Sequence, residues 1–225
     1  MYRNLDMSEI SDGRIYTSND CVRADTFGCE QCSFCCENMC DTIFLDPFDL
    51  YCLETCLHTA FKNLLADKLT LSVADGIALP HIMPVNGGAC PFLDKNRRCA
   101  IHDYRPGFCR LFPLGRIYNN ENGFNYYIQV NECKCKHRGK IKISKWLGIK
   151  DLKTYEKYIS DWHGLLENII RKSARGKNTD IARTLDTKLL QVFFMEPYDL
   201  SLDFYKQFYD RLQFFRQTLN KGDTL

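Results

Sequence analysis

The sequence predicts a mainly α protein with small β-hairpins, in which an irregular, cysteine-rich region packs against a C-terminal helical region. Three observations predict it. All thirteen cysteines, at positions 21, 29, 32, 35, 36, 40, 52, 56, 90, 99, 109, 133 and 135, precede the last third of the 225-residue chain. Gly, Pro and Asn interrupt that first part repeatedly, so only short helices and hairpins are expected there. Beyond residue 140 apolar side chains recur three and four apart, the helical rhythm. The expected division is a cysteine region over 1–140, with its core at 28–135, and a three-helix region over 141–225 packed on it as one globular unit.

In the first region Asp46 precedes Pro47, and Asp49 follows three residues after the cap, a helix start signal. Leu53, Leu57, Ala60, Phe61, Leu64 and Leu65 continue at helical spacing, so a helix over about 47–68 is predicted. Cys52 and Cys56 share a face of it and are expected as small core residues rather than as a chelating pair. "CPFLDKNRRCAIH", residues 90–102, has two short apolar segments around a charged turn and predicts a tight hairpin with Cys99 across from Cys90. "GRIYNNENGFNYYIQV", residues 115–130, predicts a second, with Asn119, Asn120, Asn122 and Gly123 in the turn. Its returning strand leads into Cys133 and Cys135, which brings one of them within reach of the other thiols.

In the second region Leu152, Tyr155, Tyr158, Ile159, Trp162, Leu165, Leu166, Ile169 and Ile170 form one stripe, ending near Gly176. A second helix is predicted over 179–195, stopping before Pro197. A third carries Tyr205, Phe208, Leu212, Phe215 and Leu219 and starts from a Ser201 cap. Stripes of this kind are core rather than cofactor boxes.

Charge and hydropathy narrow the partners. Lys and Arg number 30 against 28 Asp and Glu, which gives no global field for nucleic acid or an anionic membrane. The basic run Lys134, Lys136, His137, Arg138, Lys140 and Lys142 is expected to be a solvated segment. No apolar stretch approaches the roughly 20 residues a membrane helix needs, and the opening "MYRNLDMSEISDGR" lacks the apolar core of a signal peptide. The expected location is the cytoplasm. A reducing compartment and an odd cysteine count disfavour disulfides and favour metal.

Thiolate sulfur selects zinc, copper(I) or iron–sulfur clusters over hard cations. In "GCEQCSFCCENMC", residues 28–40, Cys29, Cys32 and Cys35 step by three, a rhythm that lets a loop fold its sulfurs around one centre, as ferredoxin loops do. Extended to Cys40, the spacing is one residue longer than the bacterial ferredoxin run and lacks its proline. Adjacent side chains of an extended chain point to opposite sides, so Cys35 and Cys36 are expected to face different things: two metal sites, or one ligand and one packing thiol. Cys90, Cys99 and Cys109 cannot by themselves close a four-ligand site. They need a further ligand from the first cluster or from Cys133 or Cys135, so the blocks must meet in space. Arg105 and Arg110 are expected to stabilise the anionic centre from just outside it. His102 is available as a ligand, but a hydrogen-bonding or packing role is expected.

These residues carry a family likeness. The run C-x2-C-x2-C-C from Cys29 to Cys36, the C-P-F-L from Cys90, and the C-x-I-H-x-Y-R-P-x2-C-R-x-F-P from Cys99 to Pro113 resemble the YkgJ family of cysteine-cluster proteins. Their shared CxxCxxCC domain is described as zinc- or iron-chelating, and the resemblance covers residues 28 to about 135. It implies metal binding through Cys29, Cys32, Cys35, Cys36, Cys90, Cys99 and Cys109; Cys133 is the eighth candidate. It also points to flagellin lysine N-methylases, relatives with a similar cysteine module that use S-adenosylmethionine and an iron–sulfur centre. Against that carry-over, the chain has neither a glycine-rich nucleotide loop after a strand nor the C-x3-C-x2-C spacing of radical enzymes.

Three functions follow in order. The first is an iron–sulfur protein, most simply with one 4Fe-4S cluster serving redox or cluster-assisted chemistry, because the thiols exceed what one zinc needs. The second is a zinc-stapled interaction module, the zinc supplying folding energy to a poorly periodic region. The third is a protein-modifying enzyme. Cysteine or serine hydrolase chemistry has no distinctive local context here.

Overall fold

The computed structural model describes residues 7–27, 32–119, 123–135, 138–175 and 179–221. Among the described residues six strands form three separate two-stranded antiparallel sheets, and helices dominate beyond residue 142. A short helix α1 (Met7–Ile10) leads to β1 (Cys21–Asp25), and α2 (Phe34–Asn38) carries the vicinal cysteines.

Helix α3 (Pro47–Leu57) begins at the predicted cap. Asp46 accepts from the Asp49 amide at 2.9 Å, and Asp49 accepts from the Asp46 amide at 3.1 Å, a reciprocal capping box with Pro47 in the first turn. The helix does not run to residue 68. His58 turns left-handed (φ 51°), residue 60 is extended, and a separate short helix α4 (Phe61–Leu64) follows. Phe61 and Leu64 are buried in the core that also holds Leu50 and Leu53, which is why the apolar spacing continued across the break. Glu54 covers the new start by accepting from the Phe61 amide at 2.8 Å.

Strands β2 (Leu69–Ala74) and β3 (Ile77–Ile82) form a hairpin around Asp75-Gly76, both at positive φ (52° and 83°), as a two-residue turn demands. The predicted hairpin over 90–102 is reduced to one bridge, Leu93 with Cys99. There Asp94 Oδ1 accepts from the Asn96 and Arg98 amides, both at 2.8 Å, so the turn is organised by a side chain rather than a ladder. A turn at His102–Tyr104 and helix α5 (Gly107–Leu111) complete this block. The second predicted hairpin is present as β4 (Leu114–Tyr118) and β5 (Phe124–Ile128), in register from Leu114 with Ile128 to Tyr118 with Phe124. Strand β6 (Gly139–Lys142) pairs with β1 across more than a hundred residues of sequence.

After α6 (Ile143–Leu147) come α7 (Leu152–Arg175), α8 (Thr179–Leu190) continued by a π-helical turn (Gln191–Met195), and α9 (Phe204–Lys221). The cap of α9 is Asp203, which accepts from the Lys206 amide at 2.8 Å; Ser201 instead turns back onto Asp199. The aromatic stripes are core: Tyr158, Phe193, Phe208 and Phe215 are almost wholly buried, and the Tyr158 and Phe208 rings meet edge-on with centroids 4.6 Å apart. The same cluster includes Leu50, Leu53, Leu69 and Ile77 of the first region. A smaller cluster gathers Val22, Ala24, Leu114, Tyr126 and Ile143 between the β1–β6 and β4–β5 pairs. Among the described residues no helix is long and apolar enough to cross a membrane.

Candidate metal centre

The two cysteine blocks meet through the backbone. The Cys90 amide donates to the Cys36 carbonyl at 2.7 Å, and the Cys40 thiol donates to the Gly88 carbonyl at 2.8 Å. Arg97 then reaches back to α2, donating from Nε to Ser33 Oγ at 3.2 Å and forming an ion pair with Glu37. Gly88, at φ 128°, lies against this join: a Cβ there would stand 3.2 Å from the Glu37 carbonyl oxygen.

Cys109 is placed from another direction. The α3 cap extends to α5, because Asp49 Oδ1 accepts from the Gly107 amide at 2.7 Å. One carboxylate thus closes the first turn of α3 and fixes the start of the helix bearing Cys109. Gly107 is required by space, since its Cβ would stand 2.5 Å from Tyr155 Oη.

Around these anchors lies a cavity of about 1280 Å³, lined by Cys32, Cys35, Cys36, Cys90, Cys99 and Cys109. Of the other expected ligands, Cys29 lies outside the described residues, and Cys133 is half-buried and does not line the cavity, although its neighbour Glu132 does. Cys40 is buried and engaged with Gly88. Cys52 and Cys56 on α3 are half-buried; Cys56 packs on the main apolar core.

Cys35 and Cys36 do not face opposite ways. They sit in a helical turn rather than an extended chain, where neighbours diverge by about 100°, and their sulfurs are 4.0 Å apart on one cavity. Hydrogen bonding within the pair splits their titration: the Cys36 thiol draws Cys35 down to about 7, and Cys36 is pushed up. Burial raises Cys90 to about 11, Cys99 above its ordinary value and Cys109 well above it, and each is raised further by the neighbouring thiols. That mutual influence marks Cys35, Cys36, Cys90, Cys99 and Cys109 as one electrostatic group. Arg105 opposes it, lowering both Cys35 and Cys99, and it also contacts the His102 ring. Arg110 donates to the Asp103 carbonyl and acts on Cys52 and on His102. His102 lines the cavity, its basicity lowered by burial and by Arg105.

Among the described residues no three His, Cys, Asp or Glu side chains are placed to hold one ion together. The thiols are gathered around the cavity without being closed into a coordination sphere. The donor set nevertheless fits a thiolate-bound metal or cluster: soft sulfur ligands, one mutually coupled group, and an arginine beside it in place of further carboxylates.

Residues 28–136 match the family model CxxCxxCC, described as "Putative zinc- or iron-chelating domain". The match spans both cysteine blocks and the β4–β5 hairpin between them and β6, and it supports metal binding by this region. No curated protein and no solved structure matches the chain.

Proposed function

Since residues 28–136 match the CxxCxxCC cysteine-cluster model, we propose that this region binds an iron–sulfur cluster, most simply 4Fe-4S, and that a subset of Cys32, Cys35, Cys36, Cys90, Cys99 and Cys109 supplies its four ligands. Cys29 and Cys133 complete the candidate set. The observation that carries this reading is the convergence of six thiols on one cavity, a soft-donor set that supplies the four thiolates of a 4Fe-4S cluster and leaves more sulfur beside it than one structural zinc uses. When bound, the cluster would supply one-electron redox chemistry or a Lewis-acidic iron.

The protein's own part is to gather and tune the thiols. The Cys90–Cys36 backbone bond holds the two blocks together. The capping carboxylate of Asp49 holds the start of α5, and with it Cys109. Arg105 supplies the positive charge that favours thiolate over thiol. Partial burial raises the pKa values of Cys90, Cys99 and Cys109, a cost that metal binding offsets by displacing the protons.

The test is purification without oxygen, followed by a visible spectrum and analysis for iron, zinc and acid-labile sulfide. Broad visible absorbance with iron and sulfide supports the reading. A colourless protein with stoichiometric zinc overturns it in favour of a zinc-stapled module.

A further inference from the structure

The thiol cavity reaches the surface where Cys32, Arg97, Arg98, His102 and Phe108 line it, since all five are exposed. Positive charge is concentrated there. Residues 94–110 hold five Lys or Arg against two Asp, whereas the whole chain nets only +2. Arg105, which also lines the cavity, lies 3.0 Å from the His102 ring, and Arg98 and Arg110 act on the same ring, so three guanidinium groups gather around one imidazole. Arg97 joins them with its side chain 68% exposed. Lys134 adds a further charge beside α2, its Nζ 5.4 Å from the centroid of the exposed Phe34 ring, next in sequence to Cys35. Most carboxylates nearby are already engaged. Glu37 is paired with Arg97, Asp94 accepts from two amides of its own turn, Asp46 is held in the α3 cap, and Asp25 accepts from the Phe27 amide. Asp103 and Glu132 are exposed.

We infer that the mouth of the thiol cavity docks an acidic segment of a partner protein. Its Asp and Glu side chains meet Arg97, Arg98 and Arg105, and its apolar side chains meet Phe34 and Phe108, 37% and 41% exposed. Charge complementarity supplies the first half of the argument, because like-signed side chains are gathered here on a chain whose charge is otherwise balanced. Composition supplies the second: arginine with exposed aromatic rings is the make-up of a protein interface rather than of an ordinary surface. A polypeptide also fits better than a nucleic acid. Asp103 and Glu132 would repel a phosphate backbone, whereas a peptide can set its amides or a basic side chain against them. The inference rests on the rim alone and holds whichever metal the thiols take.

The full-length protein, purified with its metal, is titrated into a fluorescein-labelled peptide of repeated Glu-Asp-Phe-Glu and followed by anisotropy. A peptide with Lys in place of every acid and a single-stranded oligothymidylate of matched charge serve as comparisons. The acidic peptide is expected to bind saturably and to weaken as salt is raised. The basic peptide is expected not to bind, and the oligonucleotide to bind at least about tenfold more weakly. Arg98→Gln with Arg105→Gln is expected to weaken the acidic peptide at least about tenfold, and Phe108→Ala about fivefold. Lys62→Gln with Lys206→Gln removes the same charge from exposed positions outside the cavity lining and is expected to change affinity less than about twofold. No saturable binding of the acidic peptide, equal binding of the oligonucleotide, equal losses in the two double variants, or undiminished binding by Phe108→Ala would each overturn the inference. Metal content is measured on every sample; if loss of Arg105 lowers it, Arg98→Gln alone against Lys206→Gln alone decides the question.

Discussion

The Tyr158 hydroxyl donates to Asp46 Oδ1 at 3.0 Å and accepts from the Phe48 amide at 3.0 Å, so one side chain of α7 completes the N-terminus of α3. The C-terminal helices therefore reach the metal region through a chain of contacts. Tyr158 supports the Asp46–Asp49 cap, and Asp49 supports the start of α5, where Cys109 sits.

Tyr158→Phe keeps the ring in its aromatic cluster but leaves the Phe48 amide without its acceptor. The expected cost is about 1–3 kcal/mol of stability, measured by chemical denaturation of the metal-free protein. An unchanged midpoint would show that the hydroxyl is not an anchor.

Gly107→Ala places a methyl group against the buried Tyr155 hydroxyl, where an ideal Cβ would lie 2.5 Å from the oxygen. Tyr155 is only 1% exposed and has little room to yield. A loss of about 1–3 kcal/mol is expected, with a lower metal content because α5 is displaced. Thermal melting and metal analysis on the same sample check both effects.

The vicinal pair offers a separate test. Because both sulfurs border one cavity, Cys35→Ser and Cys36→Ser are each expected to lower metal content. Cys40→Ser, whose hydroxyl can still donate to the Gly88 carbonyl, is expected to retain it. If either vicinal variant binds metal like the wild type, that residue is a packing thiol.

Metal uptake should tighten as pH rises. Cys90, Cys99 and Cys109 are held above their ordinary values by burial, so binding must release their protons. Competition titrations with zinc and a chelator, repeated across pH, should show proton release accompanying binding. A pH-independent affinity, corrected for the chelator, would contradict a thiol site.

His163 stacks on Tyr118 with centroids 3.5 Å apart, and burial lowers its pKa below the ordinary value of 6.5. Below 6.5 the unfolded chain takes up a proton that the folded chain refuses, until the lower folded pKa is reached. Stability should therefore fall on acidification through that window. His163→Phe preserves stacking and should flatten the slope of unfolding free energy against pH, leaving the similarly directed contribution of His102. An unaltered slope would show that His163 does not titrate as its burial implies.

The parts of the fold that were legible in the sequence rest on local signals. Asp46, Pro47 and Asp49 gave the start of α3 because capping involves neighbours only. The aromatic stripes gave α7 and α9 because a long helix repeats one face many times. The failures are also physical. The spacing from Leu57 to Leu65 read as continuous helix because Phe61 and Leu64 return to the same core after the left-handed His58. The β2–β3 hairpin does carry a local signature, the two-residue Asp75-Gly76 turn. The pairing of β1 with β6 had no local signature at all. At the site, the thiols announced themselves by spacing, but the expectation for Cys35 and Cys36 assumed an extended chain where the structure has a helical turn.

Whether thiols from both blocks hold one iron–sulfur centre is decided by iron and acid-labile sulfide content in anaerobically prepared protein, with Cys90 and Cys109 replaced together by Ser in a matched sample. Iron and sulfide are expected in the wild type, and their loss in a variant that remains folded by circular dichroism. Stoichiometric zinc without sulfide in the wild type, or full iron in the double variant, would contradict it.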